Sequence, residues 1–224
     1  MHAGIAETPG EKGDPIIDEA ERYHERVETS LANWVRNLRD AWLIARALSD
    51  LPTGSSVLDL ACGTGRFSNV FLKRGYKLFS MDYSWDMVRY IKRRLNADSA
   101  PSDRVVRADA SKLPFKDKSL DGMVSFRFLF QHFDEGLFDA TLVEGMRVCR
   151  HYIFFDIRLQ RTSWDTLLAI FGKATRGSKH DRPLPEWILK TEATGLAVER
   201  VVFQNRYFSR KAILACRIPR GISA

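Results

Sequence analysis

The sequence predicts a single α/β domain: a mostly parallel seven-stranded sheet with an antiparallel last strand, helices on both faces and an N-terminal helical cap. Three observations support this prediction. A strand, a glycine turn and a helix start follow one another at residues 57–67. Aspartates stand at the ends of three successive predicted strands. Two further strands, 196–204 and 211–217, close the chain through a hairpin-like turn.

Length, composition and charge limit the possible functions. The 224 residues are enough for one domain with a substantial core, and an apolar content of 45% is ordinary for a globular protein. No apolar run approaches the roughly 20 residues that span a bilayer, and the N-terminus lacks a charged-then-apolar signal pattern. The net charge of +7 suits nucleic acid, lipid headgroups or phosphorylated substrates, and equally a solvated basic surface.

The cysteines indicate a reducing environment. Cys62, Cys149 and Cys216 are scattered and lack the C-x-x-C spacing of a metal site or a disulfide framework. We therefore expect reduced, packed thiols, no metal site and a cytoplasmic location.

The chain begins with a polar tail and a helical segment. Residues 1–14 are rich in glycine, proline and charge, so we expect a disordered tail. Apolar residues then recur at three- and four-residue steps through 15–52, which predicts a helical cap. Tyr23 and Trp34 on this apolar stripe are either core residues or part of a pocket wall. The remaining residues, 53–224, are expected to form the main domain.

The first predicted strand, 57–60, leads into a turn suited to a ligand. Gly63 and Gly65 can take positive φ and let a ligand approach the backbone, and the helix start behind them offers unpaired N–H groups. Asp59, still on the strand, would repel a pyrophosphate and attract a cationic ligand. The alternatives are a purely structural turn and a dinucleotide-binding G-x-G-x-x-G turn, which matches only in part because Ser68 takes the third glycine's place.

The next two predicted strands also end in carboxylates. Asp82 follows the strand 77–81, at a position where a carboxylate can hold ribose hydroxyls. Asp109 follows the third strand and precedes a Leu-Pro-Phe turn. Because the carboxyl ends of parallel strands meet at one edge of a sheet, Asp59, Asp82 and Asp109 predict a single ligand crevice.

The second half of the chain continues the alternation of strands and helices. The strand 122–126 precedes an aromatic segment that includes His132. A helix at 137–148, a strand at 152–157 and a helix at 185–192 follow before the final strand pair. This alternation is typical of a parallel sheet with helical crossovers.

These stretches resemble the class I S-adenosylmethionine-dependent methyltransferases, whose sheet is Rossmann-like. The segment 57–65, VLDLACGTG, is similar to the family's first cofactor motif, and 109–121, DASKLPFKDKSLD, is similar to a stretch of its small-molecule branch, which includes ubiquinone and menaquinone biosynthesis enzymes. The resemblance covers about 57–217. It implies methyl transfer from S-adenosylmethionine to an oxygen, nitrogen or carbon of a small-molecule acceptor that is partly apolar or aromatic.

The resemblance also assigns site residues. In the family, the residue matching Asp59 lies near the methionine part of the cofactor, the glycine turn passes beneath its sugar, and the residues matching Asp109 and Ala110 bind the adenine. The implied cofactor-binding residues are Asp59, Ala61, Gly63, Gly65, Asp82, Tyr83, Met87, Asp109, Ala110, Phe126 and Arg127.

His132 is the candidate catalytic residue. The segment after the fourth strand borders the methyl group and the acceptor in the resembling branch, so His132 would be a general base or an acceptor-orienting group. The alternative is that it packs on the neighbouring phenylalanines or caps a helix end. The connection 147–152 departs from the family, because it lacks the usual proline and glycines, and we expect this departure to leave the cofactor site untouched.

Two other classes of function remain open, and a dehydrogenase is a more distant third. The charge favours a nucleic-acid methyltransferase, but the sequence lacks the Asn-Pro-Pro-Tyr, Asp-Pro-Pro-Tyr and Pro-Cys motifs of such enzymes. A non-catalytic subunit that binds S-adenosylmethionine would keep the same cofactor motifs. The sequence leaves the oligomeric state and the identity of the acceptor open.

Overall fold

A computed structural model describes residues 20–22, 25, 30–97, 102–160, 177–205 and 209–219 of the chain. The strands within these residues are β1 Ser56–Leu60, β2 Lys77–Asp82, β3 Val105–Arg107, β4 Leu120–Ser125, β5 Cys149–Arg158, β6 Ala197–Phe203 and β7 Lys211–Arg217. The helices whose bounds fall within these residues are α1 Leu31–Ala47, α2 Ser68–Leu72, α3 Trp85–Ala97, α4 Gly136–Val148 and α5 Leu184–Ala193. Short 3-10 turns lie at Leu48–Asp50, Ser102–Arg104 and Leu129–His132.

The strands form one seven-stranded sheet in the order β3-β2-β1-β4-β5-β7-β6. The pairs within β3-β2-β1-β4-β5 are all parallel, whereas β7 is antiparallel to both of its neighbours, β5 and β6. The predicted fold class, with its antiparallel last strand, is confirmed. The strand order reverses between β1 and β4, which is the position where ligands bind at the carboxyl edge of open α/β sheets.

Helices cover both faces of the sheet because the buried strands are apolar on both sides. One face packs on α4 and α5 and includes the buried side chains of Leu58, Met123, Phe155, Phe138 and Trp187. The other face packs on α1 and α2 and includes the buried side chains of Val57, Phe154, Leu43, Ile44 and Phe71.

Helix α1 lies within the predicted cap. Ser30 caps its start by accepting the N–H of Asn33 at 3.1 Å, and Leu43, Ile44 and Ala47 are fully buried on the side that faces the sheet. Trp34 is 54% exposed, so of its two alternatives the one that makes it a core residue is wrong. The predicted tail and Tyr23 lie outside the described residues, and the domain division stays a prediction.

Strand β5 begins earlier than expected. It starts at Cys149, directly after α4 ends at Val148, and pairs with Leu120 before a register shift in β4. The connection predicted at 147–152 is therefore the last residues of a helix and the first residues of a strand. Helix and strand meet without a loop, which explains why this segment needs neither proline nor glycine.

Candidate functional site

A cavity of about 410 Å³ opens at the carboxyl edge of the sheet, beside the point where the strand order reverses. Six of the predicted site residues line it: Ala61, Asp82, Tyr83, Asp109, Ala110 and His132. Its other lining residues are Leu60, Met81, Ala108, Phe128 and Leu137. A mostly apolar concavity with a few polar groups is the usual form of a small-molecule site.

The turn after β1 combines three residues with positive φ, namely Ala61 (57°), Gly63 (56°) and Gly65 (70°). A Cβ on Gly65 would lie 2.5 Å from Cδ1 of Ile91, so this glycine lets α3 pack closely on the turn. A Cβ on Gly63 would meet no atom within 4 Å. Gly63 is therefore not required by packing, and it leaves bare backbone beside open space.

Asp82 fixes the same turn from the neighbouring strand. Its Oδ2 accepts the N–H of Gly63 at 2.8 Å and its Oδ1 accepts the N–H of Ser84 at 2.9 Å. Each carboxylate oxygen has a second lone pair, so Asp82 can accept further hydrogen bonds from a ligand in the cavity.

Asp59 lies beneath the turn and is 5% exposed. Burial raises the pKa of its carboxyl to about 7, the neighbouring Asp82 adds to that rise, and Arg66 opposes it. Burial also raises the pKa of the Cys62 thiol well above its usual range, with further contributions from Asp59 and Asp82. The turn therefore lies in a negative environment that a cationic ligand would stabilise.

Asp109 is an exposed, ionised acceptor at the edge of the cavity. Its Oδ1 accepts the hydroxyl of Ser111 at 2.7 Å and the N–H of Ser111 at 2.8 Å. These hydrogen bonds hold the pKa of the Asp109 carboxyl below its usual value. Asp109 and its chain neighbour Ala110, which carries a backbone N–H, both line the cavity, and such an acceptor and donor match a ligand edge that presents a donor and an acceptor side by side.

Hydrogen bonds from residues at the end of α4 anchor the loop that follows β3. The Arg147 guanidinium donates to the carbonyls of Leu113 and Phe115, each at 2.9 Å, and to Glu144 at 2.8 Å. Glu144 in turn accepts the N–H of Leu113 at 2.8 Å. Arg147, the first residue of the segment 147–152, thus anchors the loop that follows Asp109 and Ala110, and the expectation that the departure in this segment leaves the cofactor site untouched stays a prediction.

The other predicted residues are not part of the cavity wall. Within the described part of the chain its lining does not include Asp59, Gly63, Gly65, Met87, Phe126 or Arg127. The ring of Phe126 packs edge-on against Phe67 at 5.1 Å, and Lys211 Nζ lies 4.9 Å from its centroid. Arg127 takes a φ of 66° and donates its N–H to Asp156 at 2.7 Å. Their roles in binding stay predictions.

His132 packs on a neighbouring phenylalanine and also lines the cavity, so its role as a general base or acceptor-orienting group stays a prediction. Its ring lies 4.7 Å from the ring of Phe128, centroid to centroid, and it also lines the cavity. Its Nδ1 is 2.6 Å from Oε2 of Glu135. When the Nδ1–H donates to this carboxylate, Nε2 is left unprotonated and able to accept a proton.

A buried ionic cluster, Asp40, Lys211 and Asp156, lies behind Phe126 and was not predicted. Lys211 Nζ donates to both oxygens of Asp40, at 2.8 and 2.9 Å. Burial lowers the pKa of Lys211, and Asp40 and Asp156 oppose that shift. Burial raises the pKa of Asp156 to about 6. The available signal was a charged residue at each of three positions where the helix or strand pattern calls for an apolar one.

Comparisons with known proteins agree with this geometry. Residues 57–151 match the model of a methyltransferase domain family. The demethylmenaquinone methyltransferase of Clavibacter sepedonicus is 35% identical over 130 residues, which cover 56% of this chain and 50% of that protein. The chain thus spans half the length of this curated relative.

Two crystal structures share the fold. A SAM dependent methyltransferase from Aquifex aeolicus matches with a TM-score of 0.65 at 18% identity, over 91% of this chain and 98% of that one. Magnesium protoporphyrin IX methyltransferase from Synechocystis PCC 6803 with bound SAH matches with a TM-score of 0.61 at 18% identity, over 89% and 94% of the two chains. Residues 57–151 therefore match a methyltransferase domain, and the fold of the chain is the one that these methyltransferase structures share.

Proposed function

We propose that the chain transfers the methyl group of S-adenosylmethionine to a small-molecule acceptor. The observation that carries this proposal is the cavity that brings Asp82, Asp109 and Ala110 together with His132. Its volume, about 410 Å³, falls within the roughly 300–1,000 Å³ of small-molecule sites. The Clavibacter sepedonicus relative is named for the same class of reaction.

The residues present fit this cofactor. The free lone pairs of Asp82 suit the two hydroxyls of a ribose, and Asp109 with Ala110 suits the amino group and ring nitrogen of adenine. The carboxylate of Asp59 suits a cation, and the bare backbone at Gly63 leaves room for a sugar. When bound, the sulfonium supplies an electrophilic methyl group, so the protein's tasks are to position the acceptor and exclude water.

His132 and Glu135 are proposed to handle the acceptor's proton. Glu135 holds the His132 ring at 2.6 Å and favours the tautomer with a basic Nε2, which can take a proton from a hydroxyl or an amine. The apolar walls at Met81, Phe128 and Leu137 favour a partly apolar or aromatic acceptor. A demethylated menaquinone, named in the relative's description, is an acceptor of that kind.

The direct test uses purified protein and methyl-labelled S-adenosylmethionine with a cell extract. We expect S-adenosylhomocysteine to form and the label to appear in a small, extractable molecule. Label in RNA or DNA would favour a nucleic-acid methyltransferase instead. Cofactor binding without labelled product in any fraction would favour a non-catalytic subunit. Because the fold alone does not determine function, only the identified product separates these cases.

Replacing Gly63 with alanine is expected to weaken cofactor binding about tenfold or more while costing roughly 1–2 kcal/mol of stability. The stability cost comes from the positive φ of 56°, and the binding cost comes from a methyl group placed in the open space of the turn. Gly54→Ala is the matched control, since Gly54 also has positive φ (88°) and open space but lies at the opposite end of β1. Equal calorimetric affinities in the two variants would contradict the placement of the cofactor.

Cofactor affinity is expected to rise as the pH rises through about 7, because only the ionised form of Asp59 attracts a cation. Below that pH each unit should lower the affinity by up to about tenfold. Titration calorimetry at about pH 6 and about pH 8 measures the change. Asp59→Asn should bind more weakly at the higher pH and lose most of the pH dependence, and a profile like that of the unaltered protein would exclude Asp59.

The same carboxyl predicts the opposite trend for stability without cofactor. The folded state holds the Asp59 proton up to about pH 7, whereas an unfolded aspartate releases it near pH 4. Between these values the folded state binds more protons, so stability falls as the pH rises. Asp59→Asn should therefore be more stable than the unaltered protein at about pH 8, as measured by thermal denaturation.

A further inference from the structure

Helix α1 is apolar on two opposite sides. At about 3.6 residues per turn, Leu43, Ile44 and Ala47 lie on the side that faces the sheet, where they are buried. The opposite side, which we call the outer face, carries four large apolar residues with these exposed fractions: Leu31 76%, Trp34 54%, Leu38 50% and Trp42 50%. A helix that is apolar all round normally has partners on all sides. Scattered surface leucines are common, but two tryptophans and two leucines in one row form a patch.

The exposed charged residues of α1 are Arg36, Arg39 and Arg46, all cationic. Arg39 and Arg46 flank the outer face, whereas Arg36 stands four residues before Asp40 and so lies on the side of that buried residue. The single carboxylate of the helix, Asp40, is fully buried and paired with Lys211. The Arg46 guanidinium lies 5.2 Å from the centroid of the Trp42 ring. The outer face therefore combines tryptophan and leucine with arginine and offers no carboxylate.

This composition is that of a helix lying in a membrane interface. Tryptophan rings favour the headgroup level, leucine favours the acyl boundary, and arginine is attracted to anionic lipids. None of the described helices is long and apolar enough to cross a bilayer, so the helix would lie on the surface. We propose that the outer face of α1 docks on an anionic lipid bilayer, with Leu31, Trp34, Leu38 and Trp42 entering the interface.

A groove beside the outer face fits the same partner. It has a volume of about 560 Å³ and is lined by Leu38, Arg39, Trp42, Gln204, Asn205 and Ser209. The guanidinium of Arg39 and the neighbouring hydrogen-bonding side chains suit a phosphate headgroup, while Leu38 and Trp42 suit the start of its acyl chains.

A second copy of the chain is a poorer partner for this face. In a symmetric dimer that pairs α1 with itself, the arginines of both copies would lie along one rim. Since α1 has no exposed carboxylate, those cations would repel one another without a counter-charge. An anionic surface neutralises them instead. The net charge of +7 likewise favours binding to an anionic surface.

The test is flotation of the full chain with vesicles. We expect binding to vesicles of phosphatidylcholine mixed with phosphatidylglycerol, weaker binding to phosphatidylcholine alone, and loss of binding at high salt. Trp34→Gln with Trp42→Gln should abolish binding, and Arg39→Gln and Arg46→Gln should each weaken it roughly fivefold. Leu38→Gln should also weaken binding, and Leu189→Gln is its control, because Leu189 is 68% exposed on α5, away from α1.

Three results would overturn the proposal. The first is no binding of the unaltered chain to anionic vesicles. The second is equal binding by the Leu38→Gln and Leu189→Gln variants, with melting temperatures showing that both are folded. The third is a concentration-dependent dimer in sedimentation velocity that Leu38→Gln dissolves, since the outer face would then be an interface between copies. A blue shift of tryptophan fluorescence on vesicle addition, reduced in Trp42→Gln and lost when Trp34→Gln is added, would support the proposal.

Discussion

Replacing Asp40 with asparagine is expected to lower the free energy of unfolding by about 3–5 kcal/mol. The change leaves the Lys211 ammonium, which is 6% exposed, without the carboxylate that now lies 2.8 Å away. It also loosens α1 from β7, because this ion pair joins the two elements across the sheet face. Urea denaturation followed by circular dichroism measures the loss.

Two measurements distinguish the loss of the ion pair from a general packing defect. Because burial lowers the pKa of Lys211, the unfolded chain holds the lysine proton more tightly than the folded state. The free energy of unfolding therefore rises as the pH enters the range where the folded state releases the lysine proton. For the same reason, the stability lost in Asp40→Asn should become smaller toward about pH 10. Adding Lys211→Met to Asp40→Asn should restore part of the free energy of unfolding, because replacing both partners of a buried ion pair costs little stability. The prediction would be contradicted if the free energy of unfolding of Asp40→Asn lay within about 1 kcal/mol of that of the unaltered protein.

Replacing His132 with glutamine is expected to lower turnover by roughly 10²–10⁴-fold with little change in cofactor affinity. Glutamine can still hydrogen-bond to Glu135 but cannot take a proton near neutral pH. Turnover at saturating acceptor, together with calorimetric binding of S-adenosylmethionine, separates a lost base from a damaged site. Near-normal turnover would mean that positioning alone supports the reaction.

Two further variants sharpen this test. Glu135→Gln removes the carboxylate that orients the His132 ring, so we expect a smaller loss of turnover and a shifted pH profile. His180→Gln is the matched control, because His180 also packs on an aromatic ring, that of Phe130 at 5.7 Å, but does not line the cavity. A comparable loss in the control would indicate a general effect of removing a histidine from an aromatic contact.

The fold and the edge of the sheet that carries the site were predictable because their signals are local. The strand, turn and helix start at 57–67 are recognisable from eleven consecutive residues. Asp59, Asp82 and Asp109 each stand at or close to the end of a strand. Parallel strands then bring Asp82 and Asp109 to one cavity without any knowledge of side-chain contacts. The predicted order of strands and helices is confirmed on the same basis.

The contacts that join distant segments were not predictable. Asp40 and Lys211 are separated by 171 positions, and Arg147 reaches Leu113 across 34 positions. A single sequence gives no signal for such pairs beyond a charged residue at an apolar position. The side of helix α1 that is buried was not predictable for another reason. A three- and four-residue repeat shows that apolar residues share one side of a helix, but it does not show whether that side faces the sheet. The sequence alone therefore left open whether Trp34 packs in the core.

The position of Cys62 has a consequence for the chemistry proposed above. Burial and the carboxylates of Asp59 and Asp82 keep its sulfur protonated at neutral pH. The thiolate, rather than the thiol, is the nucleophile of cysteine. A thiolate in this turn would compete with the acceptor for an electrophilic methyl group and inactivate the protein by self-alkylation. Burial first, and then the two carboxylates that suit the turn to a cationic cofactor, therefore disfavour methylation of the turn itself.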